Sequence, residues 1–405
     1  MAKTDDRPAG SKTAVRGASA SPTSPEIERA RAAAGAVEIG LTAAVVSVTG
    51  HEPMVLTVRE GKGETASDGL PSGPFTPLDH RTLEIGLRSY VASQTGLDLG
   101  YVEQLYTFGD RGRHANPGDA GPHVVSIGYL ALTGYLEPEA VELGRGERGQ
   151  VALGGDSARD GPGDGPRDGP RDGSQGGSRD GLRAGISWRS WYDYFPWEDR
   201  RFGLRSAEAR REILNRAIIP YLDAWAATPI EPGTPVRPIA RADRVRMCFP
   251  AEGGWDEEKV LERYELLYEA SLVEEARRDG RAGAVVIGSG DAVAGTGPAM
   301  RFDHRRILAT AIGRLRGKIK YRPVIFELLP DEFTLYELQR TVEAILGPHL
   351  HKQNFRRLVE TGGLVEPTGD VRTATGGRPA RLYRFRREVL LERPAPGVRV
   401  NPGRG

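Results

Sequence analysis

The sequence predicts an α/β body of mixed strand and helix, followed by a C-terminal winged helix-turn-helix. Three observations predict it. The first is charge. Arg301 to Gly405 holds 21 Lys and Arg against 11 Asp and Glu, whereas residues 1–300 hold 35 and 44. The net charge of +1 therefore hides two halves of opposite sign, as in a polyanion-binding head on an acidic body. The second is a series of short apolar runs, broken by turn residues and one amphipathic helix, before residue 133. The third is a helix, turn, helix and hairpin pattern after residue 333.

Composition sets the outer limits. A chain of 405 residues allows two or three domains. Much of the excess of 53 Gly and 29 Pro falls in two segments, which leaves an ordinary globular remainder. One cysteine, Cys248, excludes an internal disulfide framework and a cysteine-rich metal site. No apolar run is long enough for a bilayer. Residues 1–24 lack an apolar signal core, so the expected location is cytoplasmic.

The elements follow in order. Residues 1–36 read as a disordered tail, rich in small and polar residues with little to bury. Leu41–Val48 and Met54–Val58 form a hairpin signal around Gly50-His51-Glu52-Pro53. Arg81–Thr95 has helical spacing, with Leu83, Leu87, Tyr90 and Val91 on one face and Gly96 as its stop. Leu99–Phe108 and His123–Leu132 read as strands. Residues 142–185 are low in complexity, with Arg-Asp-Gly repeats, and read as a flexible insertion. Order is expected to return at Ile186 with the aromatic stretch SWRSWYDYFPWED. Ala207–Ala226 reads as a helix, Pro232–Arg246 as irregular, and Glu257–Arg278 as one long charged helix. A further helix is expected from Asp303 to Lys320.

Thr334 is a plausible N-cap, and Glu337 stands at the capping-box spacing. Leu335, Leu338, Val342 and Ile345 give that helix an apolar stripe, and Gly347-Pro348 ends it. The second helix is expected at about His351–Thr361, with Phe355, Leu358 and Val359 facing the core. Lys352, Gln353, Asn354, Arg356 and Arg357 would mostly face outward. Arg and Lys suit guanine or phosphate, and Asn or Gln suits adenine. Two strands at about 364–366 and 381–385 flank a Gly-rich loop, a wing bearing Arg372, Arg378 and Arg381. Any one of these arginines alone reads as a solvated surface group; the constellation points to double-stranded DNA.

This C-terminal stretch resembles the Nudix-related transcriptional regulators of the NrtR type, over about Arg301 to Phe385. The resemblance rests on Asp303-His304, Arg314-Leu315-Arg316 and Lys318, on Phe333-Thr334-Leu335, on Asn354-Phe355-Arg356-Arg357, and on Gly377-Arg378-Pro379-Ala380. It implies an α/β Nudix-like sandwich, a mixed sheet between helices, ahead of the winged helix. The implied organisation is a degenerate effector domain over 37–300 with insertions at 142–185 and about 233–297, a linker helix over 301–320, a winged helix over 321–390, and a disordered tail over 391–405. It also implies a homodimer on a palindromic operator, regulation of NAD metabolism, and ADP-ribose or a related nucleotide as effector. Thr334 joins the DNA contacts on the same basis.

A Nudix hydrolase box runs G-x5-E-x7-R-E-U-x-E-E-x-G-U, with U a bulky aliphatic. Its glutamates hold divalent cations that position water against a pyrophosphate. The candidate here is Gly73–Leu97. The two metal-ligand glutamates fall on Ser93 and Gln94, the arginine on Ser89, and the glutamate beside it on Tyr90. The spacing from Gly73 is two residues too long. Loss of hydrolysis is therefore expected, with no catalytic residue, no metal and no cofactor. Arg59, Arg111 and Arg113 could clamp a pyrophosphate. Tyr106 and Phe108 could stack an adenine or pack in the core, and core packing is the commoner fate of a strand aromatic. The seven histidines show no helical metal-pair spacing. Two rival readings are an active pyrophosphohydrolase using Asp79, Glu84 and Glu103, and an adaptor docking on an acidic protein.

Overall fold

The computed structural model describes residues 37–61, 66–110, 113, 123–134, 185–201, 203–230, 237–251, 253–280, 293, 295–373, 379–392 and 397–398. The expected N-terminal tail, the low-complexity repeats up to residue 184, Arg111 and Arg378 lie outside them.

Seven strands make one sheet: β1 (Val37–Thr49), β2 (Glu52–Glu60), β3 (Ser67–Gly69), β4 (Ser72–Pro74), β5 (Val102–Phe108), β6 (His123–Leu132) and β7 (Ile186–Ser190). The central order is β3-β2-β1-β6-β5, with β4 on β1 and β7 on β2. Among the described strand pairs of this sheet, β1 and β6 alone run parallel, over a ten-residue register from Val37↔His123 to Val46↔Leu132. Alternate residues of β1 enter two cores. Leu41, Ala43 and Val45 meet α1 (Leu83–Thr95) through Leu87 and Val91. Ala44, Val46 and Val48 meet α8 (His304–Ile319) through a cluster that includes Ile307, Leu308 and Ile312. A strand apolar on both faces is what a sheet covered by helices on both sides requires. This is the expected α/β sandwich.

The sequence reading of α1 holds closely. Thr82 accepts from the Ile85 N–H as N-cap, and Gly96, at φ +74°, closes the helix. The long charged helix expected over 257–278 is instead broken. α6 (Val260–Glu269) and α7 (Glu274–Arg278) are separated at Ser271, which takes φ +57°, and the bend buries Leu272 and Val273. The stretch expected to be irregular to Arg246 contains α5 (Arg241–Cys248). Upstream lie α2 (Trp191–Tyr194), α3 (Arg205–Ile213) and α4 (Ile219–Ala227), the last two joined by a π turn.

Two domain expectations change. α8, expected as a linker helix, packs inside the fold: Ile307, Leu308, Ala311, Ile312, Leu315 and Ile319 are fully buried, as are Arg305 and Arg316. It is the second layer of the sandwich. The C-terminal tail is not free from residue 391. α11 (Val389–Glu392) precedes Val398, which is fully buried and donates its N–H to the Ile319 carbonyl.

The winged helix comprises α9 (Leu335–Leu346), α10 (Lys352–Gly362), β8 (Val365–Arg372) and β9 (Ala380–Phe385). Thr334 and Glu337 form a reciprocal capping box. Thr334→Ala is expected to cost about 1 kcal/mol, visible as a lowered midpoint in thermal denaturation. One apolar cluster runs without interruption from the sheet through α8 to Leu338, Val342 and Ile345 of α9 and Phe355 and Val359 of α10.

Candidate nucleic-acid interface

The outward face of α10 is set by what its inward face buries. Phe355 and Val359 are buried and Leu358 half-buried. At about 100° per residue, the side opposite that stripe carries Gln353, Arg357 and Glu360. Lys352 and Arg356 flank it on one edge and Asn354 on the other. All six are exposed. Gln353 and Arg357, at i and i+4, form one ridge. A bidentate Arg reads guanine and a bidentate Gln reads adenine; Lys352 and Arg356 stand where phosphates would line a groove.

The turn ahead of α10 is fixed by Glu343. Its carboxylate accepts from the Leu350 N–H (3.0 Å) and the Gln339 amide (2.8 Å), and sits 3.0 Å from His349 Nδ1. Burial alone would raise the Glu343 pKa; these bonds outweigh it and hold the carboxyl below its ordinary value. Gly347, at φ +102°, ends α9, and a Cβ there would meet the Glu198 carbonyl at 2.8 Å, so the turn needs glycine.

Not every expected contact stands. Thr334 is buried and its hydroxyl accepts from the Glu337 N–H, so its side chain is a cap, not a groove contact. Arg372 pairs with Glu337, which ties the wing hairpin to the start of α9 instead of leaving the guanidinium for phosphate. Arg381 is exposed on β9.

The expected effector residues are dispersed. A register shift in β5 between Gln104 and Thr107 turns Tyr106 and Phe108 to different environments. Phe108 is buried in the core beneath Arg306, whereas Tyr106 is exposed. Arg113 is bidentate on Glu265 (2.9 and 3.0 Å) and stacks 3.6 Å over Tyr268. With its donor edge on Glu265 and one face on Tyr268, it does not form a pyrophosphate clamp. Beside it, burial pushes the Asp303 carboxyl up to about 6 against the pull of Arg306 and Arg113. Arg59 is half-exposed and paired with Asp68 at 3.3 Å. Tyr106 lines a cavity of about 440 Å³ together with the carboxylates of Asp256, Glu258 and Glu262 and the cations Lys259 and Arg314.

The box positions do structural work. Gln94 accepts from the Ser72 N–H (3.1 Å) and donates to the Ser72 carbonyl (2.7 Å), fastening α1 to β4. Ser93 donates to the Tyr90 carbonyl. Glu84 pairs with Arg88, and Glu103 with Lys318 at 2.6 Å. Among the described residues, no three His, Cys, Asp or Glu are placed so that they could hold a metal ion. A Nudix divalent ion does not fit this donor set.

Sequence reasoning missed the connection between head and body. Tyr192 donates its hydroxyl to the Ala344 carbonyl (2.8 Å), and Arg316 Nε donates to the Ile345 carbonyl (2.8 Å). Arg340 Nε donates to His51 Nδ1 at 2.9 Å. Arg316 was visible only as part of the Arg314-Leu315-Arg316 resemblance; nothing in its spacing announces a buried partner.

Residues 325–385 match the family model described as the NrtR DNA-binding winged helix domain. An 86-residue stretch is 45% identical to the ADPR responsive transcriptional repressor NtrR of Acinetobacter baylyi. That match covers 21% of this chain and 34% of the relative, so the chain spans about a third of that relative's length. Among solved structures, NrtR of Shewanella oneidensis complexed with a 27mer DNA aligns over 86% of this chain and 94% of that one, at 19% identity and a TM-score of 0.43. A MutT/nudix family protein of Enterococcus faecalis aligns over 86% of each chain, at 14% identity and a TM-score of 0.41. No described helix is long and apolar enough to cross a membrane. The similarity to a described family is thus confined to the winged helix, residues 325–385.

Proposed function

We propose that this protein is a DNA-binding transcriptional regulator of NAD metabolism that responds to ADP-ribose or a related NAD metabolite. One observation carries the DNA-binding part: the polar face of α10, with Gln353, Arg357, Lys352 and Arg356, is open to solvent in a winged helix of the NrtR family. The effector class follows from the name of the Acinetobacter baylyi relative. The protein acts in the cytoplasm as a homodimer, each copy placing one α10 in a half-site of a palindromic operator. Effector binding shifts the placement of α10 through α8, whose Arg316 holds the end of α9. Footprinting on promoters of NAD-related operons, with and without ADP-ribose, tests the reading. A discrete protected palindrome that ADP-ribose weakens or strengthens is expected; no protection at any concentration overturns it.

The body is not a hydrolase in this reading, because Ser93 and Gln94 occupy the metal-ligand positions and Gln94 is committed to Ser72. Ser93→Glu combined with Gln94→Glu is expected to give no turnover of ADP-ribose with Mg²⁺ or Mn²⁺, since no third carboxylate joins them. Product release by that variant, followed chromatographically, would show a scaffold closer to an enzyme.

A further inference from the structure

The segment counted as a second insertion, about 233–297, supplies one corner of a buried ionic cluster. Glu198, Arg263 and Arg316 are each fully buried. The Glu198 carboxylate accepts from Arg263 Nε and Nη2 and from Arg316 Nη1. Burial would raise its pKa, but the two guanidiniums outweigh that and hold it below the carboxylate range. Two cations face one anion, so the cluster carries excess positive charge in a fully buried place.

Backbone carbonyls take up the excess, two of them at helix C-termini and two in the turn before α6. Arg263 Nη1 donates to the carbonyls of Asp256 (2.9 Å) and of Cys248, the last residue of α5 (3.4 Å). Arg316 donates to Glu257 O (3.0 Å) and, through Nε, to Ile345 O in the last turn of α9 (2.8 Å). A helix C-terminus has unpaired carbonyls and a partial negative charge, which a buried cation attracts. The end of α9 is thus held by charge as well as by packing, two residues before the Gly347 turn that leads to α10.

We propose that Glu198, Arg263 and Arg316 are positioning residues for operator binding: they lock the direction of α10 relative to the body, and the 237–280 segment acts in DNA recognition by contributing Arg263. None of the three touches DNA. The proposal rests on the DNA-binding reading above, and its test separates the two.

The full chain is compared with Arg263→Met, which keeps the length of the side chain and leaves Glu198 and Arg316 as a matched pair, and with Glu198→Gln. Duplexes enriched from a random library by the wild type serve as specific DNA, and scrambled duplex as non-specific DNA. Spin labels at Glu212→Cys on α3 and Asp370→Cys on the wing hairpin, in a Cys248→Ala background, report the distance between body and head. In Arg263→Met we expect at least a tenfold loss of specific affinity, non-specific affinity within twofold, and a broadened label distance. A merely structural role would leave both ratios and the distance unchanged in folded protein. Unchanged specific affinity and a sharp distance in Arg263→Met overturn the lock, even if Glu198→Gln fails to fold. If the wild type enriches no duplex, the DNA-binding reading falls and takes the operator role with it. The label distance then still decides whether the cluster orients the head.

Discussion

Glu198→Ala is expected to cost about 3–5 kcal/mol, the cost of removing one partner from a buried ionic network. The carboxylate is fully buried between Arg263 and Arg316, so its loss leaves two guanidiniums without a counter-charge. For a folded body of this size the melting midpoint should fall by on the order of 10 °C. Replacing the whole cluster, Glu198→Leu with Arg263→Met and Arg316→Met, should cost less than the single change, because no charge is then stranded. Calorimetry of the two variants side by side checks the ordering. A Glu198→Ala midpoint within 2 °C of wild type would mean that water reaches the cluster.

Arg357→Ala is expected to weaken operator binding by about 1–3 kcal/mol, roughly 5- to 150-fold, and to relax sequence preference at one base position. Arg357 stands at the centre of the outward face of α10, opposite Phe355 and Val359, and no ion pair holds it among the described residues. Lys352→Ala, at the edge of that face, should weaken binding evenly across sequences and reduce the salt dependence by about one unit of slope. Competition binding against a panel of single-base operator variants, at two salt concentrations, distinguishes the patterns. Unchanged preference in Arg357→Ala removes this residue from base reading.

The head was legible in the sequence because its signals are local. The Thr334–Glu337 capping box, the Gly347 stop and the apolar spacing of Phe355 and Val359 each depend on residues within one or two turns. Strands β1, β2, β5 and β6 and helix α1 were legible for the same reason, whereas β3, β4 and β7 were not read as strands. What could not be read depends on distance along the chain. The match of Glu198 with Arg263 and Arg316 spans 65 and 118 residues, and no periodicity encodes it. The β5 register shift that separates Tyr106 from Phe108 is a property of pairing with β6, so simple alternation misplaced Tyr106, while Phe108 packs in the core as the commoner fate of a strand aromatic. Arg113 was read as a free cation because Glu265 lies 152 residues away. Thr334 and Arg372 show the opposite error: residues chosen for a ligand are consumed by the fold, one as a cap and one as a strut to Glu337.

The unbroken apolar cluster from β1 to α10 has a consequence for how such proteins can be rearranged. A reading head that shares its interior with the body is not a cassette. Grafting residues 321–390 onto another scaffold would bare the flanks of Leu338, Val342 and Ile345, and the donor would lose the wall that seals α8. Swaps of specificity between such proteins should therefore succeed by exchanging the six outward side chains of α10, and fail when the whole module is moved.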